Sequence, residues 1–335
     1  MCVANKKRIL LVGIDFYDYE QAIICALEKY GYEVLYVSTY INTIQIRILE
    51  RIRLNSISKK YKEKTITKYI SLLPTSIDYI IIIKGDNLCK EHIELLKTKY
   101  PHVPVVLYLW DSLNRIANAK LLLKMFPKIL TFDRKDAEIH RLVHRPLFFR
   151  SRIEKRDNHI KYGISFLGAD HSTRYTILSK LAPILKKQGI SFKFVLITGR
   201  LKFFLNRYVF HTIKKGDEYL FQTKRLQYQD YIDITERSNV ILDISHPLQS
   251  GLTMRSIEAL CMGKKLLTTN NDICFYDFPH SLFEILDIQN YNISEEFYKN
   301  TAIESFNTYD YSLDGFIRDI LNQLEINGKS LLDRK

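Results

Sequence analysis

SNVILDISHPLQSGLTMRSIEALCMGKKLLTTN, residues 238–270, decides how this chain folds. It opens on an apolar run (240–244) short enough for a buried strand, crosses a polar loop and turns helical at Ser250-Gly251. Met254, Ile257, Leu260 and Cys261 recur at helical spacing and give that helix a core face. Gly263 stops it, and KKLLTTN (264–270) is a second apolar strand. Glu258 lies one turn beyond Met254, at the edge of the core face rather than on the outer surface. A helix N-terminus after a small-residue loop offers unpaired N–H groups and positive dipole, which together hold a phosphate. Ser250, Gly251 and Thr253 stand at that end. A carboxylate two turns further on accepts hydrogen bonds from ribose hydroxyls. These are the parts of half a nucleotide site. The spacing also allows an ordinary strand-loop-helix-strand unit with a solvated Glu258.

The same alternation extends in both directions. RILLVGI (8–14), YEVLYVS (32–38), DYIIIIKG (78–85), VPVVLYLWD (103–111) and KILTFD (128–133) are apolar runs of the kind found in parallel strands covered on both faces. Helical patterns separate them, so residues 1–150 read as one doubly wound α/β domain. The pattern restarts with KYGISFLG (161–168), SFKFVLITG (191–199), NVILDIS (239–245) and 264–270. The charged stretch RSRIEKRDNH (150–159) has no apolar period and reads as a linker. The expected organisation is an N-terminal domain over 1–150, a second α/β domain over 151–290 and a helical tail over 291–335.

SGLTMRSIEALCMGKKLLTTN (250–270) also resembles the donor-binding segment of two-domain, GT-B type glycosyltransferases, closest to those of bacterial lipopolysaccharide-core and capsule biosynthesis. The resemblance continues more weakly through YLWDSLNR (108–115), FDRKD (132–136), RPLFF (145–149) and the FLG…R pattern of 166–174. It implies two Rossmann-like domains facing across a cleft, the first for the acceptor and the second for a nucleotide-sugar donor. A C-terminal helix then crosses back onto the first domain through Phe316, Ile317, Ile320 and Leu321. It implies that Glu258 holds the donor ribose and that the loop at Ser250 and Gly251 faces the diphosphate. Retaining members often carry a second Glu eight residues before the first; here Ser250 stands there, so the stereochemical outcome stays open.

Ligands in open α/β sheets bind beyond the carboxyl ends of the strands, which picks out the polar residues that end apolar runs. In the second half these include Gly168, where a donor phosphate can approach the backbone, and Arg174 and Arg200. A guanidinium fork with permanent charge can neutralise a departing diphosphate in place of a metal. No DxD motif occurs, and neither a metal nor another cofactor is expected. In the first half Asp111, at the end of a central-looking strand, is the first choice for the base that takes the acceptor hydroxyl proton, and Asp15 the second. Asp111 could instead cap a helix starting near Leu113. Asp133 and Asp136 are expected to position the chain near the junction of the two halves.

Composition narrows the function classes. With 335 residues, 46% hydrophobic and few Gly or Pro, the chain can fill two cores. No run reaches the roughly 18–20 apolar residues that span a bilayer, and the apolar run after Lys6-Lys7-Arg8 is broken by Asp15, so it reads as a strand rather than a signal peptide. A cytoplasmic protein is expected. The five cysteines form no CxxC pair and read as reduced. The formal charge is +13, yet no nucleic-acid-binding signature accompanies it. Residues 44–64 mix Arg and Lys with Ile and Leu and fit contact with an anionic membrane surface at its inner face, or with a glycan or lipid-linked acceptor. Residues 200–215 read as a solvated basic helix over the protein core. The function implied is metal-independent transfer of a sugar to a surface glycan. A non-catalytic nucleotide- or glycan-binding protein of the same fold is the alternative.

Overall fold

A computed structural model describes residues 6–16, 18–150, 159–171, 173–224, 226–299 and 304–325. The expected linker lies, apart from its two end residues, outside them. The chain divides into two compact units. The first comprises 1–150, 248–251 and 309–335, the second 151–247 and 252–308.

The first unit carries strands β1 (Arg8–Gly13), β2 (Glu33–Ser38), β3 (Tyr79–Ile83), β4 (Val105–Leu109), β5 (Ile129–Thr131) and β6 (Val143–His144). Its helices are α1 (Tyr19–Lys29), α2 (Ile44–Arg51), α3 (Asn55–Leu72), α4 (Lys90–Lys99), α5 (Ala119–Met125) and α6 (Arg134–His140). The strands pair in parallel in the order β2-β1-β3-β4-β5-β6. Every residue of β3 and β4 is buried, which is why YIIII and VVLYL are unbroken apolar runs: helices cover both faces of a parallel sheet. The order reverses between β1 and β3, so the loops after those strands diverge and leave room above them.

The second unit holds β7 (Tyr162–Ala169), β8 (Phe192–Ile197), β9 (Phe221–Gln222), β10 (Ser238–Asp243), β11 (Lys265–Thr268) and β12 (Phe283–Ile285). With them come α7 (Arg174–Lys187), α8 (Arg200–Phe204), α9 (Tyr228–Glu236), α10 (Met254–Cys261) and α11 (Glu295–Lys299). Its parallel order is β12-β11-β10-β7-β8-β9, the strand order of dinucleotide-binding domains, with the reversal between β7 and β10.

The last helix, α12 (Leu313–Glu325), belongs to the first unit. Phe316, Ile317, Ile320, Leu321 and Leu324 form its buried stripe. The Phe316 ring sits 4.9 Å from Tyr108 and 4.4 Å from Phe148, centroid to centroid. Each such side chain contributes roughly 1.5–3 kcal/mol by leaving water. Arg145, largely buried, pairs with Asp319 at 2.7 Å. The tail therefore crosses back, but only from Tyr309. Residues 291–308 stay with the second unit, where Tyr291, Ile293 and Phe297 fill the core.

Candidate functional site

The reversal point of the second unit is where a ligand is expected. There β7 ends at Gly168-Ala169 and β10 at Asp243. Asp243 is fully buried and takes Nη1 of Arg255 at 2.5 Å and the Ser256 hydroxyl at 3.0 Å. Arg174 opens α7 and is buried. It donates to the Ile244 carbonyl at 3.2 Å and to that of Ala169 at 3.0 Å, joining the ends of the two strands. Both guanidinium groups lie on the Phe166 ring, at 5.5 Å for Arg174 and 5.1 Å for Arg255. Gly168 is needed by that packing: a Cβ there would meet Arg255 Nη2 at 2.9 Å and Arg174 Nη1 at 3.1 Å. The space beside Gly168 is thus filled by cations. Arg200, the exposed first residue of α8, lies beyond β8.

The helix of the opening stretch begins at Met254, later than the expected Ser250-Gly251. Thr253 is its N-cap, accepting the Ser256 N–H at 3.2 Å. A hydroxyl here satisfies one of the helix's four unpaired N–H groups. Glu258 is buried, 4% exposed, so the solvated reading does not hold. Tyr228 of α9 donates its hydroxyl to it at 3.3 Å. The Tyr231 hydroxyl and Arg255 Nε nearby are buried and lack hydrogen-bond partners among the described residues. Burial first, and the Glu258 charge second, push the Tyr231 phenol well above its ordinary pKa. Buried polar atoms without partners cost stability, and the Tyr231 phenol feels the charges of both Glu258 and Arg255, which makes this the candidate place for a polar ligand.

Ser250 and Gly251 are placed differently. Their N–H groups point to the Asp133 carboxylate of the first unit, at 2.8 and 3.3 Å, and the Ser250 hydroxyl also donates to it. Ser112 adds its hydroxyl, and Lys135 N–H donates to Ser250 Oγ at 3.1 Å. A Cβ on Gly251 would strike the Phe132 ring at 2.5 Å. Segment 248–251 is therefore spent on the corner between β5 and α6. Burial disfavours the charge of Asp133, but the donated hydrogen bonds outweigh it and hold its pKa below the ordinary carboxylate value. Burial has the upper hand at Asp136, which accepts the Leu113 N–H at 2.7 Å and whose pKa is raised.

Both carboxylates named for the base end strands of the first sheet. Asp111 pairs through Oδ2 with Lys84 at 3.0 Å and through Oδ1 with Arg115 at 3.1 Å. Lys84 also binds Asp86 at 3.0 Å. Its burial opposes the ammonium charge, yet the Asp111 and Asp86 carboxylates raise its pKa overall. The short helical turn at Leu113–Arg115 begins after Ser112 and its first amide goes to Asp136, so Asp111 is not its cap. Asp15 is exposed and accepts from the Tyr36 hydroxyl at 2.5 Å and the Ser38 hydroxyl at 2.6 Å. Its φ of 56° is unusual for a residue with a side chain. Glu20 on α1 makes that turn possible: its buried carboxylate takes the N–H of Ile14 at 3.0 Å and of Phe16 at 2.9 Å, one on each side of Asp15.

Sequence reading missed Arg255, Tyr228 and Glu20, while Asp133 positions the chain, as expected, by holding Ser250 and Gly251. Arg255 and Glu20 had a signal, since each stands in the first turn of a helix that follows a strand. Tyr228 comes from a helix distant in sequence and had none. Among the described residues no cluster of His, Cys, Asp or Glu could hold a metal ion.

Two parallel Rossmann-like units in one chain make this the GT-B fold. The likeness to solved structures agrees. The chain matches a Staphylococcus aureus MnaA structure solved with UDP at TM-score 0.57 and 12% identity, covering 96% of each chain. It matches a glycosyltransferase from Rickettsia africae at TM-score 0.52 and 12% identity, over 99% of this chain and 100% of that one. The catalytic domain of starch synthase IV from Arabidopsis thaliana, bound to ADP and acarbose, matches at TM-score 0.51 and 7% identity, over 95% and 98%. No family model matches the chain, and no curated protein sequence matches it.

Proposed function

We propose that this protein is a glycosyltransferase that moves a sugar from a nucleotide-sugar donor to a surface polysaccharide or lipopolysaccharide acceptor, without a metal, on the cytoplasmic side of the membrane. The observation that carries the reading is Glu258, a buried carboxylate on the helix after the reversal-point strand, with Tyr228 donating to it and unpartnered polar atoms beside it. A ribose offers paired hydroxyls to such a carboxylate and acceptors to the orphan donors. Proteins of similar fold were solved with UDP and with ADP, which suits a nucleoside diphosphate as the leaving half of the donor.

In this reading the first turn of α10, capped by Thr253, offers its N–H groups to the donor diphosphate, and the exposed Arg200 supplies mobile positive charge. Arg174, Arg255 and Gly168 build the floor that fixes α10 against the strand ends. Transfer needs a base that takes the acceptor hydroxyl proton as its oxygen bonds to the anomeric carbon, while the carbon–oxygen bond to the diphosphate breaks and the nucleoside diphosphate leaves; Asp15 is the candidate for that base. Asp15 is exposed at the end of β1 and is held by the Tyr36 and Ser38 hydroxyls rather than in an ion pair. Asp111 would have to give up an ion pair with Lys84 or Arg115 to meet an acceptor hydroxyl.

Ser250, which stands where retaining members of the resembled class often carry a Glu, keeps a second reading alive, a non-catalytic nucleotide- or glycan-binding protein. The two separate by experiment. Radiolabelled nucleotide-sugars are offered with membrane glycolipid acceptors: transfer that Asp15→Asn lowers by about 10²–10⁴ supports the enzyme, and donor binding without transfer to any acceptor supports the binding protein.

A further inference from the structure

We propose that helices α2 and α3 dock the protein on an anionic lipid bilayer by inserting an isoleucine stripe between the headgroups. The proposal deepens the reading of a membrane-carried acceptor by naming the surface, and it does not require that transfer occur. On α2 only Ile46 turns into the core. Ile44, Ile48 and Ile52, one helical turn apart, face outward at 64%, 54% and 58% exposure. On α3 Ile57 and Tyr61 do the same, while Ile66 and Ile70 hold that helix to the sheet. Isolated exposed hydrophobes need no explanation, but a contiguous row of isoleucines does.

The charge beside the row says what covers it. Arg47 and Arg51 run parallel to the isoleucines on α2, and Arg53, Lys59, Lys60 and Lys64 continue the basic side, all exposed. The acids of the segment are already matched, Glu50 by Lys62 at 2.7 Å and Glu63 by Lys59 at 3.8 Å. An acidic protein would use the cations and leave the isoleucines wet; an apolar protein face would strand the cations. A bilayer satisfies both at different depths: phosphates meet Arg and Lys, and the acyl boundary takes the Ile side chains. Among the described residues no helix is long and apolar enough to cross a membrane, so this is attachment to a surface.

The test is co-sedimentation of the full chain with vesicles of phosphatidylglycerol and phosphatidylethanolamine, against phosphatidylcholine alone. The wild type is expected to sediment with the anionic vesicles and to keep part of that binding at high salt, because the apolar share is not screened. The triple variant Ile44→Ser, Ile48→Ser, Ile52→Ser is expected to partition at least about tenfold more weakly and to lose the salt-resistant part. These residues are exposed, so its thermal unfolding should match the wild type and show that it folds. Unchanged sedimentation of the variant overturns insertion, as does a wild type that ignores anionic vesicles. A wild type that elutes as a dimer which the variant breaks, with no vesicle binding, overturns it in favour of a second copy of this chain. Nucleotide binding, measured separately on the same variant, keeps this result distinct from failure of the transferase reading.

Discussion

Asp133 shows how one side chain can hold a loop that is remote in sequence. It is 2% exposed and receives hydrogen bonds from Ser112, Ser250, Gly251 and Asp136. Asp133→Ala would leave those donors facing an empty site, a loss of about 3–5 kcal/mol by analogy with breaking a buried charged pair, readable by urea unfolding. The pH dependence follows from the sign of its shift. Its folded pKa is depressed, so its stabilisation is complete above the unfolded value of about 3.9 and fades as pH falls through the lower folded value. Asp136 acts oppositely: its raised pKa costs stability near neutrality, and that cost disappears in acid. The gap between wild type and Asp133→Asn should therefore be widest above about pH 4 and shrink below it; a constant gap down to strong acid would contradict the assignment. Glu20 is the other residue of this kind. Glu20→Gln gives up one of two acceptors beside Asp15, so one amide loses its partner at about 1–3 kcal/mol. Turnover should fall while donor affinity holds; an equal loss in both would mean that Glu20 serves only the fold.

At the scale of elements, the strand-loop-helix-strand of 238–270 was legible because its apolar runs are continuous and its helix amphipathic. The helix start was not: Ser250-Gly251 is a plausible opening locally, but both amides go to Asp133 and Thr253 caps a helix that begins at Met254. The short edge strands β6, β9 and β12 were invisible, since two or three residues carry no period. The apolar Leu201, Phe204 and Phe210, expected over the core in 200–215, face solvent instead, because the helix there is short and ends in a wider turn. Thr253 supplies a local test. Thr253→Val keeps the shape and removes the acceptor for Ser256 N–H, so α10 should lose about 0.5–2 kcal/mol. If α10 also carries the diphosphate, Thr253→Val should weaken nucleotide binding as well, while Thr253→Ser restores both; stability lost without any change in binding would remove α10 from the site.

At the scale of the whole molecule, two parallel sheets with reversed strand order each leave a place for a ligand, and the polar residues gather at those places. The second unit brings Tyr228 onto the buried Glu258 carboxylate, with Tyr231 and Arg255 nearby; the first presents Asp15 and the Lys84–Asp111–Arg115 network at its strand ends. Fold alone assigns no activity, so the account stands on whether the second unit binds a nucleotide through Glu258. The measurement is calorimetric titration of the full chain with UDP, ADP, GDP and CMP, repeated on Glu258→Gln, which keeps the size of the side chain and removes its charge. At least one nucleoside diphosphate should bind the wild type, and Glu258→Gln should weaken it by about 1–3 kcal/mol, roughly 5- to 150-fold. A wild type that binds none of them, or a Glu258→Gln protein that binds as tightly as the wild type, would contradict the account.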